Sequence, residues 1–167
     1  MGGFKTYPPE KLGRVLFRLE PERRERFANL LVQSLREPDW NHLPRHSVQV
    51  ETKYYNPQFR KGELLTFRLR ANPVVTRNKK RYGLIRESDQ RQWLLRKKIG
   101  ADWQIQNIID EGRIIGKREE KSLEFKSVRY EGYLIVSDPE KLIRSCLEGI
   151  GPAKGFGFGL LSLARMQ

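Results

Sequence analysis

The sequence predicts an α+β protein whose second half is a β-α-β-β-α-β unit, and three observations carry that prediction. Apolar and polar residues alternate through 65–70, and apolar-rich stretches over 103–115 and 123–136 read as two further strands. Two helix starts interrupt them, one at Ser88 and one at Ser137-Asp138-Pro139-Glu140. Asn56-Pro57, Lys61-Gly62 and Gly149 punctuate the joints.

Before the joint near 54–61 the chain offers three strand-like pieces and no strong helix signal. Val15, Phe17 and Leu19 alternate with Leu16, Arg18 and Glu20, which reads as a half-buried strand. A second candidate spans 27–35 and stops near Glu37-Pro38. A third spans 48–53, with Val48 and Val50 opposite Gln49 and Glu51. The charged stretch 20–26 is a connection. After the joint, Leu65, Phe67 and Leu69 alternate with Thr66, Arg68 and Arg70, and Pro73 ends the strand. A basic loop occupies 74–86. Ser88 caps a helix running to about Ile99, with Trp93, Leu94 and Leu95 supplying much of its apolar face. A strand over 103–115 leads to a charged tip at 116–121. The return strand, 123–136, slips its apolar phase between Phe125 and Val128, as at a bulge. The Ser137 quartet forms a capping box with Pro139 in the first helical position, and Gly149 stops that helix after Glu148. The last strand is expected at 158–164. This order is the ferredoxin-like (RRM-like) unit, an antiparallel sheet with both helices on one face. The chain divides into 1–55 and 62–167. The first part looks like the same unit without its opening strand and helix, so the expected fold is tandem ferredoxin-like, incomplete at the N-terminus.

Of 167 residues, 38% are hydrophobic and 32% charged, enough to bury a core and too apolar for a disordered chain. No apolar run approaches the roughly 18 residues that span a bilayer, and the N-terminus lacks a signal-peptide layout. The expected compartment is the cytoplasm, with no membrane partner. The single cysteine, Cys146, excludes an internal disulfide and a cysteine-cluster metal site. It shares a helical face with Leu142, Ile143 and Leu147, the setting of a buried apolar residue. The net charge of +13 favours a polyanionic partner, because each phosphate neutralised by Lys or Arg releases condensed counterions. Fourteen Lys and Arg against three acids stand between residues 53 and 98, so the excess sits mid-chain.

Three basic segments are candidate RNA contacts. The first is Arg77-Asn78-Lys79-Lys80-Arg81, with the helix tail Arg96-Lys97-Lys98 on the other side of the same strand–helix unit. Charge runs are usually solvated faces, but two flanking one unit suggest a contiguous phosphate-tracking surface. The second is the hairpin tip with Arg113, Lys117, Arg118 and Lys121, diluted by Glu119 and Glu120. The third is the glycine-rich run 149–159, where Gly155 and Gly157 bare the backbone beside Lys154. That run is a poor dinucleotide fingerprint, since the third glycine falls on Lys154, and no Walker A loop, since Gly155 follows the lysine. Lys154-Gly155-Phe156-Gly157-Phe158 also fits the opening of an RNP1 pattern, which leaves open an RRM-type module stacking bases on Phe156 and Phe158. The competing structural reading is a tight helix-to-strand turn. His42 and His46 lie in a proline-flanked connection with no evident orienting partner or metal-site neighbours. No Ser/His/Asp or paired-carboxylate arrangement stands out, and no metal or cofactor is expected.

Phe67-Arg68-Leu69-Arg70-Ala71-Asn72-Pro73, the stretch 149–164 and Val32-Gln33-Ser34-Leu35-Arg36-Glu37-Pro38-Asp39-Trp40 together resemble the CasE-type CRISPR-associated endoribonucleases of the type I-E Cascade complex. The resemblance runs from about Arg14 to Arg165. It implies two ferredoxin-like domains, recognition of the CRISPR repeat stem-loop, metal-independent cleavage at its 3′ base, and assembly with the crRNA and other Cascade subunits. It also implies that Arg113, Lys117, Arg118 and Lys121 meet the RNA stem and that Lys154 lies in an RNA-facing turn. Family members carry a catalytic histidine and a nearby tyrosine upstream of the segment similar to 14–21. Only thirteen residues precede Arg14 here and none is histidine, so no catalytic residue is assigned; an incomplete chain is the expected explanation.

Overall fold

The computed structural model describes residues 14–20, 28–44 and 46–166. The connection expected over 20–26 lies, past Glu20, outside them, as do residues 1–13. Strands β1 (Val15–Glu20) and β2 (Asn29–Ser34) pair antiparallel, from Val15↔Ser34 to Glu20↔Asn29. The buried side chains of β1 are Leu16 and Arg18, whereas Leu19 is exposed. The strand expected over 48–53 does not form: Val48 and Val50 are exposed, and the Val48 N–H bonds back to the Pro44 carbonyl. Alternation supplies a face, but a strand also needs a partner for its N–H and C=O groups.

Beyond the turn at Lys61-Gly62 come β3 (Leu64–Ala71), β4 (Val74–Arg77), β5 (Lys80–Gly83), α1 (Glu87–Leu95), β6 (Ala101–Arg118), β7 (Lys121–Val136), α2 (Pro139–Glu148) and β8 (Leu161–Arg165). β6, β7, β3 and β8 form one antiparallel sheet in that spatial order, the ferredoxin-like arrangement. Period-2 alternation puts Leu65, Phe67 and Leu69 on the helix-covered face, where Trp93 and Leu94 of α1 and Leu142 and Cys146 of α2 close the core. Trp103 meets Phe67 edge to face at 4.8 Å, and the Tyr130 hydroxyl donates to the Gln90 carbonyl at 3.1 Å. Burial pushes the Cys146 thiol up to about 11, so this cysteine is an inert core residue, as its helical face predicts.

Several elements depart from the pattern-based reading. The basic loop 74–86 is largely an ordered hairpin, β4–β5, with Asn78 and Lys79 at φ 48° and 61°. Two left-handed central residues make a turn whose twist matches the strands, although Gly usually holds the second position. Helix α1 starts one residue before Ser88 and has no side-chain cap. Gln90 turns back to the carbonyls of Leu84 and Ile85 at 3.0 and 3.3 Å. The helix stops at Leu95 because the chain must turn to present the Lys97 carbonyl to Trp103 Nε1, at 3.0 Å. Leu95 is exposed and adds little to the core. In α2 the cap is Asp138, whose Oδ1 accepts from the Lys141 N–H at 3.1 Å. Lys at that position cannot answer as an acceptor, so only half of a capping box exists. The bulge lies where expected, but its extra residue is on β6: Asp110 faces Val128 and Arg113 faces Lys126, leaving two residues against Ser127. The last strand begins at Leu161, later than expected, because Phe158 to Leu160 are drawn into the core.

Candidate nucleic-acid interface

Register alone gathers the predicted basic segments at one end of the sheet. β3 ends with Ala71 opposite Val128, β8 begins with Leu161 opposite Leu69, and the Gly159 N–H bonds the Arg70 carbonyl at 2.8 Å. Past that edge the β6–β7 hairpin extends well beyond the rest of the sheet before its turn. The β4–β5 hairpin springs from Pro73 at the same edge, and the glycine-rich turn folds against the long hairpin. Phe156 packs on Phe125 with ring centroids 4.5 Å apart, and a Cβ on Gly116 would stand 2.6 Å from Phe156. The turn is thus docked on the long hairpin. Gly83 lies just as close to Lys126, which roots β4–β5 against β7.

The cations divide into two populations. On the sheet face away from the helices, arginines are matched by glutamates. Arg68 reaches Glu131 at 2.9 Å and Glu20 at 3.3 Å, while Arg70 reaches Glu111 at 2.6 Å. Arg129 lies 3.3 Å from both Glu111 and Glu131. Arg18, only 3% exposed, pairs with Glu20 and donates to the Arg68 and Leu160 carbonyls and to Ser162 Oγ. This face is closed in part by β1, and its arginines stand in ion pairs with glutamates. Arg77, Lys79, Lys80, Arg81, Lys117 and Lys121, in contrast, are all exposed, and among the described residues no carboxylate pairs with them. Arg113 meets Glu124 at 2.8 Å, but both are exposed, so the pair is weak and exchangeable. Arg118 ends β6 opposite Lys121.

Within the glycine-rich turn the roles differ by residue. Lys154 is half-buried and its ammonium is pushed below the ordinary lysine range, mainly by burial, then by Arg14, with Lys97 adding to it and Glu148 opposing. Gly155 is exposed, and nothing stands within 4 Å of where a Cβ would sit. Gly157 is buried with Phe17 3.1 Å from that position, so its bareness serves packing. Phe158 is 0% exposed and 5.9 Å from Phe125, which removes it as a stacking platform. The RNP1-like run forms a single 3-10 turn, Lys154–Phe156, ahead of an edge strand, and the RRM-type reading loses Phe158 to the core while the half-buried Phe156 packs on Phe125.

The helix tail does not join this surface as a block. Lys98 lies at the opposite end, in a groove of about 350 Å³ shared with Asp138, Glu140, Lys141 and Glu148. Lys97 turns back over the Trp93 ring, 4.5 Å from its centroid, close enough to influence Lys154. Arg14 joins the same neighbourhood through β1, a long-range contact without any signal in the sequence. His42 gains an acidic neighbour after all, Asp39 at 3.9 Å, but the distance is too long for a hydrogen bond and the ring is largely exposed. His46 is exposed. No group of three metal-ligating side chains and no helix long and apolar enough to cross a membrane occurs among the described residues.

Known proteins resemble this chain in sequence and fold. The CRISPR-associated endoribonuclease Cse3 of Thermus thermophilus is 36% identical over an alignment of 168 residues, covering 90% of this chain and 80% of that protein. The Cascade subunit CasE of Escherichia coli is 33% identical over 171 aligned residues, covering 93% and 84%. A structure of the endoribonuclease Cse3 bound to a 19-nucleotide RNA superposes with a TM-score of 0.80 at 34% identity, over 90% of this chain and 80% of that one. The architecture is therefore the tandem ferredoxin-like α+β fold of those proteins. The pattern of the CRISPR associated protein family runs along residues 1–165, and with these likenesses it places the chain in that family.

Proposed function

We propose that this chain binds the stem-loop of a CRISPR repeat transcript and serves in crRNA processing as a cytoplasmic subunit of a Cascade-type complex. The unit 62–167 supplies the cationic end, and 1–55 is a separate unit beside it. The observation that carries the reading is the partition of charge: the sheet-face arginines are matched by glutamates, while cations without a carboxylate partner crowd one end. Unmatched, exposed cations neutralise phosphate without first surrendering a protein partner, and their counterion release drives association. In this reading Arg113, Lys117, Arg118 and Lys121 follow the stem along the long hairpin. Lys154 and Gly155 meet the backbone at the glycine-rich turn, and Arg77, Lys79, Lys80 and Arg81 add phosphate contacts. Cse3 and CasE, the relatives, are by name an endoribonuclease and a Cascade subunit, which supports the same assignment.

Titrating the purified chain with its genome's CRISPR repeat stem-loop and with unrelated RNA of equal length tests binding. The repeat is expected to bind more tightly, and equal affinity overturns the proposal. Incubating the complex in EDTA tests processing, since attack by a ribose 2′-hydroxyl needs general acid–base groups and cationic stabilisation but no metal. An intact repeat after incubation restricts the role of this chain to binding.

A further inference from the structure

We infer that the β4–β5 hairpin is a second, separate RNA contact that holds an unpaired nucleotide next to the stem, with Tyr82 as the stacking surface. The inference rests on the RNA-binding reading above and adds to it the class of RNA and the residue that selects it. Cross-strand register places Tyr82 opposite Val75 and Lys80 opposite Arg77. These four side chains therefore share one face of the ribbon. Gly83, next to Tyr82 on the opposite face, packs against Lys126, so the Tyr82 face looks away from β7. Tyr82 is 49% exposed, and Arg77 and Lys80 beside it are exposed as well.

Two features of this hairpin work against it as a merely structural element. Arg77 and Lys80 are like charges directly opposite each other, with Lys79 and Arg81 adjoining and no carboxylate paired to any of them among the described residues. Like charges opposed across a ladder destabilise it unless an anion lies between them. Lys79 also occupies a left-handed conformation, φ 61°, where glycine would be relaxed. Both costs vanish or are offset if a phosphodiester chain lies along this face. An aromatic ring flanked by cations fits single-stranded RNA, because its base must be free to lie on the ring while the phosphates meet Arg77 and Lys80. A paired stem keeps its bases stacked inside and offers Tyr82 nothing.

The test measures affinity by fluorescence anisotropy for the genome's repeat stem-loop, bare or carrying a short unpaired extension on its 5′ or its 3′ side. One extension is expected to tighten binding by about tenfold. Tyr82→Ala should abolish that gain and leave the affinity for the bare stem-loop unchanged, and Tyr82→Trp should keep the gain. The inference is overturned if neither extension tightens binding, if Tyr82→Ala weakens both probes equally, or if the gain survives pairing the extension with a complementary strand. A bare stem-loop held no tighter than unrelated RNA is a different failure and strikes the repeat-binding reading.

Discussion

Arg18 shows how one side chain joins the two sheets. Buried to 3% exposure, it reaches Glu20 on its own strand, the Arg68 carbonyl on β3, and the Leu160 carbonyl and Ser162 Oγ around the start of β8. A guanidinium is suited to this task because its planar fork of donors meets several acceptors at once. Arg18→Ala takes that donor from the two carbonyls and from Ser162 Oγ, and leaves the half-buried Glu20 carboxylate with Arg68 as its remaining partner. The expected loss is about 3 kcal/mol, read from the denaturant midpoint at unchanged m-value. Arg18→Lys should recover only a minor part of that loss, since a single ammonium cannot span the acceptors; full recovery would show that charge alone matters here. The alternation in 15–20 was legible, but it marked Val15, Phe17 and Leu19 as the apolar set. A buried arginine breaks that inference, because its place inside depends on carbonyls some fifty and 142 residues away in the chain.

At the scale of elements, the hairpins carry the basic surface and show a tension between stability and binding. Lys79 holds a left-handed conformation that costs an L side chain roughly 1–2 kcal/mol. Lys79→Gly should stabilise the protein by about 1 kcal/mol in thermal or denaturant unfolding and at the same time weaken RNA binding. A variant that is both more stable and undiminished in affinity would show that the tip does not touch RNA. Residues 74–86 read as a loop because Arg77-Asn78-Lys79-Lys80-Arg81 lacks the Asn-Gly signature of such a turn, so the hairpin was hidden by the very residue that strains it. Helix boundaries were hidden for a related reason. Gln90 supplies α1 with contacts that no cap residue announces, and Trp103 ends it from the next strand.

For the whole molecule, the partition between matched and unmatched cations predicts how binding responds to salt. Deleting one cation that neutralises a phosphate should flatten the plot of log affinity against log salt by about 0.7 to 0.9. Arg77→Ala combined with Lys80→Ala is therefore expected to reduce the slope by about 1.5. Arg68→Ala, which breaks the ion pairs with Glu20 and Glu131 on the sheet face, should leave it unchanged. Equal slopes for the wild-type chain and both variants would mean that the distinction between the two populations has no bearing on RNA. Total charge, +13, could be read at once, yet it does not say which residues are available. Arg68 and Arg70 look as basic in the sequence as Arg77 and Arg81.

The sequence by itself determined the order of strands and helices after residue 62, the core face of β3, the long hairpin and the basic segments. Each depends on periodicity or composition within a short window, where neighbours along the chain are neighbours in space. Tertiary structure alone decided which face of β1 is buried, that 48–53 finds no partner strand, and that Phe158 belongs to the core. It also decided which arginines are already matched by glutamates. Those outcomes turn on the meeting of distant segments, and pairing, unlike periodicity, leaves no mark on either segment alone.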